Sequence, residues 1–157
     1  RNHGLKNREQ CEFWGYNSRL DNIQAAIARI KLKDINKINN KFIRIAKIYN
    51  DELNRFINVP KFEKNKKIIF HRYIIQVKNR SKLIAYLNEK NIETKINYPI
   101  PLHLQPAAKN LNYKIGSLPN VEKQSKQILS LPMYAELSDN QIDYVITNLK
   151  KFFKYKC

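Results

Sequence analysis

The sequence predicts an α/β fold: one long helix, then a small sheet flanked by helices. Three observations predict it. Residues 20–56 contain neither glycine nor proline and carry apolar residues at helical steps. Residues 68–77 are dense in β-branched and aromatic residues, the composition of a strand. A helix-spaced segment and a second β-rich run follow, giving strand, helix and strand within about thirty residues, the size of an α/β unit.

Residues 1–14 show no clear periodicity and read as an irregular approach, with a turn at His3-Gly4 and a solvated His3. Gly15 then presents Tyr16, Asn17 and Arg19: a phenol, an amide and a guanidinium that suit an oxygen-rich ligand near a helix start. Asp21 is placed to cap the helix, and Gln24, three residues on, completes the form of a capping box. Leu20, Ile23, Ala26, Ile27 and Ile30 share one helix face. After a five-residue step the stripe resumes on another face at Ile35, Ile38, Phe42, Ile45, Tyr49, Leu53 and Phe56. Asn36, Asn39 and Asn40 are weak helix formers and mark where the helix would bend. A helix of roughly 50 Å is too long for one small domain to cover. It reads as a connection between two bodies or an oligomer contact.

Val59-Pro60 ends the helix. Residues 68–77 read as a central strand, since both faces are apolar, and His71 reads as a sheet residue with a satisfied ring rather than a catalyst. Ser81 is the expected N-cap of a helix carrying Leu83, Ile84 and Leu87. Residues 92–96 read as a short strand. Pro99, Pro101 and Pro106 then forbid regular structure and stiffen a loop bearing Asn97, Tyr98, His103 and Gln105. On pattern alone that loop is either a plain connector or a site. A short helix opens at Pro106. Another carries Val121, Ser125, Ile128 and Leu129, and residues 130–134 are extended. Ser138 and Asp139 cap a last helix with Ile142, Val145, Ile146 and Leu149 turned inward, its end followed by a basic tail.

The 157 residues carry 30 Lys and Arg against 13 Asp and Glu, a net charge of +17, and 43% are hydrophobic. That is a folded globular composition with a field that favours anionic partners. A basic module for nucleic acid or another polyanion is therefore an alternative function. The distribution argues against it: the lysines are scattered, and the densest cluster, residues 61–67, is interrupted by Phe62, Glu63 and Asn65. Lys, Asn and Ile are abundant together, the bias of an AT-rich coding sequence. The two cysteines, Cys11 and Cys157, form no C-x-x-C pair, and the three histidines lack metal-ligand spacing, so no metal site is expected. No stretch is long and apolar enough for a membrane span. Only Gly4, Gly15 and Gly116 are present, which leaves no glycine-rich phosphate loop. From residues alone the chain is a basic α/β domain with two polar segments and no complete catalytic set.

Several segments, in order, resemble the DegT/DnrJ/EryC1/StrS sugar aminotransferases. They are Arg1-Asn2-His3-Gly4; Gly15-Tyr16-Asn17-Ser18-Arg19-Leu20-Asp21 with Gln24-Ala25-Ala26; His71; Tyr98-Pro99-Ile100-Pro101-Leu102-His103-Leu104-Gln105; Gly116-Ser117-Leu118-Pro119; and Leu129-Ser130-Leu131-Pro132-Met133-Tyr134. The resemblance covers nearly the whole chain. It implies the C-terminal small domain of a fold-type I aminotransferase, with residues 1–56 closing the large cofactor domain and forming the linking helix, and residues 57–157 forming the small α/β domain. It implies pyridoxal 5'-phosphate as cofactor, with the Schiff-base lysine expected before Arg1 and no catalytic residue in this segment.

The same resemblance implies roles. Asn17 would donate to the cofactor phosphate of the other subunit in a homodimer with shared active sites. Arg19 would reach the nucleotide-sugar, with Tyr16, Asn97, Tyr98 and His103 as further substrate contacts. Related enzymes often have His where this chain has Asn97, which removes a titratable group from the pocket. The Asn-Ser-Arg-Leu-Asp form is similar to members that aminate C-3 of a nucleotide-linked ketosugar. The implied reaction moves an amino group from L-glutamate to that sugar, in surface-glycan or deoxyaminosugar biosynthesis in the cytoplasm. A family member that has lost catalysis is the further alternative.

Overall fold

The stretch without glycine or proline folds as one helix, α1 (Asn22–Leu53), 32 residues long, in a computed structural model that describes residues 3–7, 9–18 and 20–155. The helix is unbroken through Asn36, Asn39 and Asn40. Contacts divide the chain within it, into Arg1–Ile38 and Asn39–Cys157.

In the first unit the approach folds back on itself. Leu5 and Cys11 form an isolated antiparallel bridge, Glu12 N–H donates to Gly4 O at 2.9 Å, and His3 N–H donates to Tyr16 O at 3.2 Å. Gly4 holds φ +73°, and a Cβ there would lie 1.7 Å from Phe13 O, so the turn accepts only glycine. Asp21 N–H donates to Gln24 Oε1 at 3.4 Å, the reciprocal half of the expected capping box. Leu20, Ile23, Ile27 and Ile30 are exposed.

In the second unit the later stripe is buried as its spacing predicts. Ile45, Tyr49 and Leu53 join Tyr73, Ile75, Leu83, Leu87, Leu129, Ile142 and Leu149 in one core. Tyr49 packs on Tyr73 with ring centroids 4.9 Å apart. The sheet pairs β1 (Tyr73–Gln76) with β2 (Ile128–Leu131), antiparallel, from Tyr73↔Leu131 to Gln76↔Ile128. Isolated bridges flank it, Asn58↔Gln76 on one side and Lys95↔Ser130 on the other. Ser130 thus lies between Ile74 and Lys95. Helix α2 (Arg80–Glu89) carries the chain from β1 to Lys95, and β2 occupies the place between them, a split βαβ arrangement.

Four local expectations are corrected. The strand expected over 68–77 is only β1, because Phe70 takes a left-handed φ of +57° and interrupts the extended run. The strand expected over 92–96 contracts to the bridge at Lys95. Asn79, not Ser81, precedes α2, without a side-chain cap bond. The helix expected to carry Ile128 and Leu129 is α3 (Pro119–Gln127), which stops where those two residues enter β2. Strand pairing wins there because it satisfies backbone groups on both edges of β2, against β1 on one side and Lys95 on the other, and buries Leu129. The last helix, α4 (Asp139–Tyr155), starts as read: Ser138 Oγ accepts from Gln141 N–H at 3.3 Å, and Gln141 Oε1 accepts from Ser138 N–H at 3.0 Å. Among the described residues, no helix is long and apolar enough to cross a membrane.

Candidate functional site

The two polar segments lie one in each unit. In the first, Tyr16 and Asn17 are exposed immediately before α1, whose first turn offers N–H groups without intrahelical partners. An amide donor beside a helix N-terminus suits a phosphate oxygen. Arg19 lies outside the described residues.

In the second unit a cleft of about 770 Å³ opens between the entry to β1, the segment 91–97, the β2–α4 connection and the first turns of α4. Leu131, Met133, Leu137 and Val145 contribute apolar surface, and His71, Arg72, Glu93, Lys95, Asn97 and Gln141 contribute polar groups. Lys95 pairs with Glu93 at 3.3 Å on the surface, a contact of small energetic weight. The guanidinium of Arg72 adds a second fixed cation, so the rim favours an anionic ligand. His71 is exposed on this rim, not paired within the sheet as its sequence context implied.

Asn97 is half-buried, and its Oδ1 accepts from Ser130 Oγ at 3.2 Å. That bond fixes the amide plane on β2 and leaves the amide N–H groups for another acceptor. Tyr98 is 65% exposed, with the Arg72 guanidinium 6.0 Å from its ring centroid. The Asn97–Tyr98 peptide bond is cis. The cleft's lining, among the described residues, takes in Asn97 but neither Tyr98 nor His103.

His103 sits in a short 3₁₀ helix (Leu102–Leu104) and is buried. Its Nε2 lies 3.1 Å from Glu122 Oε1, and its ring meets Tyr113 edge-on. Glu122 also accepts from Gly116 N–H at 2.9 Å and Leu118 N–H at 3.2 Å. The Gly116 bond first, and the His103 and Leu118 contacts with it, hold the Glu122 carboxyl below its ordinary range against the opposing effect of burial. Sequence reading missed Glu122, Arg72 and Lys95 as site-related groups. Glu122 had a usable signal, an acid in the first turn after Pro119. Arg72 and Lys95 had none, because their approach to one cleft follows from β2 pairing with both neighbours.

The fold defines the class of protein first: it is the small α/β portion of fold-type I aminotransferases. S. venezuelae DesV, solved in complex with a ketimine intermediate, superimposes with a TM-score of 0.93 at 30% identity, covering 99% of this chain and 43% of DesV. The model of the DegT/DnrJ/EryC1/StrS aminotransferase family matches residues 1–150, and the chain belongs to that family. A "pleiotropic regulatory protein" of Geobacillus stearothermophilus is 38% identical over 98% of this chain and 42% of its own length. The dTDP-3-amino-3,6-dideoxy-alpha-D-galactopyranose transaminase of Aneurinibacillus thermoaerophilus is 34% identical over 97% of this chain and 42% of its own. The chain therefore spans about two fifths of the length of these curated relatives.

Proposed function

We propose that this chain is the C-terminal portion of a pyridoxal-phosphate-dependent aminotransferase. It would move an amino group from L-glutamate to a nucleotide-linked ketosugar, at C-3, in surface-glycan or deoxyaminosugar biosynthesis. The observation that carries the reading is the family match over residues 1–150, with 3-amino-sugar transaminases among the relatives. Residues 1–56 would complete the cofactor domain and linking helix, and residues 57–157 would form the small domain. The working state would be a cytoplasmic homodimer with shared active sites.

The chain's own residues have defined tasks in this reading. Asn17 donates its amide to the cofactor phosphate of the neighbouring subunit, a neutral donor that adds no charge to desolvate. When bound, the cofactor supplies the electron sink. Arg19 and Tyr16 bind the nucleotide-sugar, the guanidinium by bidentate contact with phosphate. Asn97, held by Ser130, and Tyr98 orient the sugar. The rim cations Arg72 and Lys95 are compatible with the same anionic substrate.

A second reading has one observation in its favour: the Geobacillus relative is named as a regulatory protein. A non-catalytic family member would serve as sensor or scaffold. The test uses the whole protein that carries this chain, supplied with glutamate and a panel of keto-sugar nucleotides, with product mass as readout. An aminated sugar is expected, with loss of the cofactor's absorbance band on adding glutamate. An unchanged band and no product across the panel establish the non-catalytic reading instead.

A further inference from the structure

We propose that Glu122 and His103 are positioning residues, a carboxylate–imidazole clasp that sets where the loop holds Asn97 and Tyr98. The inference rests on the reading of Asn97 and Tyr98 as ligand-binding residues. It gives His103 a different task from wall of the sugar pocket.

The loop between residue 97 and α3 is gathered at both ends. At its start, Asn97 Oδ1 accepts from the buried Ser130 on β2. At its end, one carboxylate in the first turn of α3 collects three separate points. Glu122 takes Gly116 N–H at 2.9 Å on each oxygen, takes Leu118 N–H at 3.2 Å, and faces His103 Nε2 at 3.1 Å. A carboxylate only accepts, so Nε2 carries the proton.

The side chains of His103 and Glu122 are only 6% and 12% exposed. Charge-assisted bonds in such a setting are short, directional and costly to leave half made. The Tyr113 ring closes on the imidazole at 5.9 Å. Between the anchors at Ser130 and Glu122, Pro99 and Pro101 restrict the backbone, and Gln105 Nε2 donates to Ile100 O at 3.3 Å. The span from Asn97 to His103 is thus stiff and tied at both ends. A shift at His103 is transmitted to Tyr98 rather than absorbed. Glu122 and His103 are absent from the cleft's described lining, so they act through the loop.

The experiment compares Glu122→Gln, His103→Leu and His103→Gln with wild type in the whole protein, alongside Tyr98→Ala. Amide hydrogen exchange reads the loop, and titration with dTDP-glucose and UDP-N-acetylglucosamine reads the site. Glu122→Gln and His103→Leu are expected to speed exchange over residues 98–118 by about tenfold, while α4 and β1 keep their protection. They are expected to raise Kd for the nucleotide sugar by about tenfold, and His103→Gln, which keeps a donor, restores most of both. Unchanged exchange over 98–118 overturns the clasp. Faster exchange with unchanged Kd overturns the positioning role, provided Tyr98→Ala weakens binding. If Tyr98→Ala binds like wild type, or wild type binds neither probe, the reading of the site fails and the inference falls with it.

Discussion

The two halves of α1 obey the same sequence rule and meet different fates. Before Ile38 the stripe Ile23, Ile27, Ile30 is exposed, with Ile30 at 65%; after Asn39 the stripe Ile45, Tyr49, Leu53 is buried at 1% or less. Both have helical spacing, and the second stripe joins residues of β1, α2, β2 and α4 in one core. Periodicity therefore reports that a face is made to be covered, not what covers it. The first half keeps its apolar stripe exposed among the described residues.

Core truncation is the strongest way to break this comparison. Leu87→Ala or Leu129→Ala is expected to cost about 2–5 kcal/mol in denaturant unfolding, since each leaves a cavity in a packed core. Ile27→Ala is expected to cost about 0.5 kcal/mol or less. Equal costs at Leu87 and Ile27 would mean that the first half is covered in solution.

Next in size is the alkaline response of the second unit. Burial raises the Tyr49 phenol above the ordinary tyrosine range, with Tyr134 adding to it. Burial does the same to Tyr73, with Tyr49 and Asp51 adding. Tyr49 O–H donates to Pro132 O at 3.1 Å, and Tyr73 O–H to Asn50 Oδ1 at 2.5 Å. Both phenols stay protonated in the fold after they would ionise in the unfolded chain. Their contribution is whole below about pH 10, the ordinary tyrosine value, and is lost as pH rises through the folded values. Urea midpoints are expected to fall above that pH, and less steeply in Tyr49→Phe; an identical slope would remove Tyr49 from the account.

Smaller effects refine the helix starts. Ser138→Ala is expected to cost about 1 kcal/mol by thermal or denaturant unfolding, the usual loss of an N-cap. The depressed Glu122 carboxyl gives an acid-side counterpart to the tyrosines. Its contribution is present above about pH 4.3, the ordinary glutamate value, and is lost as pH falls through the lower folded value. Glu122→Gln is expected to flatten that limb of a stability–pH profile; a profile superimposable on wild type would exclude the carboxylate as its source.

Legibility followed the range of the interaction. The helix from residue 22, the Ser138 cap and the inward face of α4 were readable because their causes lie within four residues. The stripe through Val121, Ser125, Ile128 and Leu129 misled because helical spacing persisted into a segment that pairs with β1 instead. The site divided in the same way. Asn97 and Tyr98 were singled out from the proline-stiffened loop that bears them, and the cleft's described lining takes in Asn97 but not Tyr98. Arg72 and Lys95 were not, because they reach one cleft only after β2 inserts beside residue 95. His103 was expected among the substrate contacts; it lies outside the cleft's described lining, and its partner Glu122, nineteen residues on, could not be inferred from spacing.

By itself, the sequence determined which segments could be helical, the cap at Ser138, where proline and Gly4 constrain the backbone, and, through ordered segments, the family. These depend on local sterics, on hydrogen bonds within a turn and on side-chain pattern. Tertiary structure alone decided that 128–131 is a strand, that 92–96 contributes one bridge, and that Glu122 gathers the loop. Those outcomes follow from pairing across long separations, where a buried backbone group must find its partner wherever the chain has placed one.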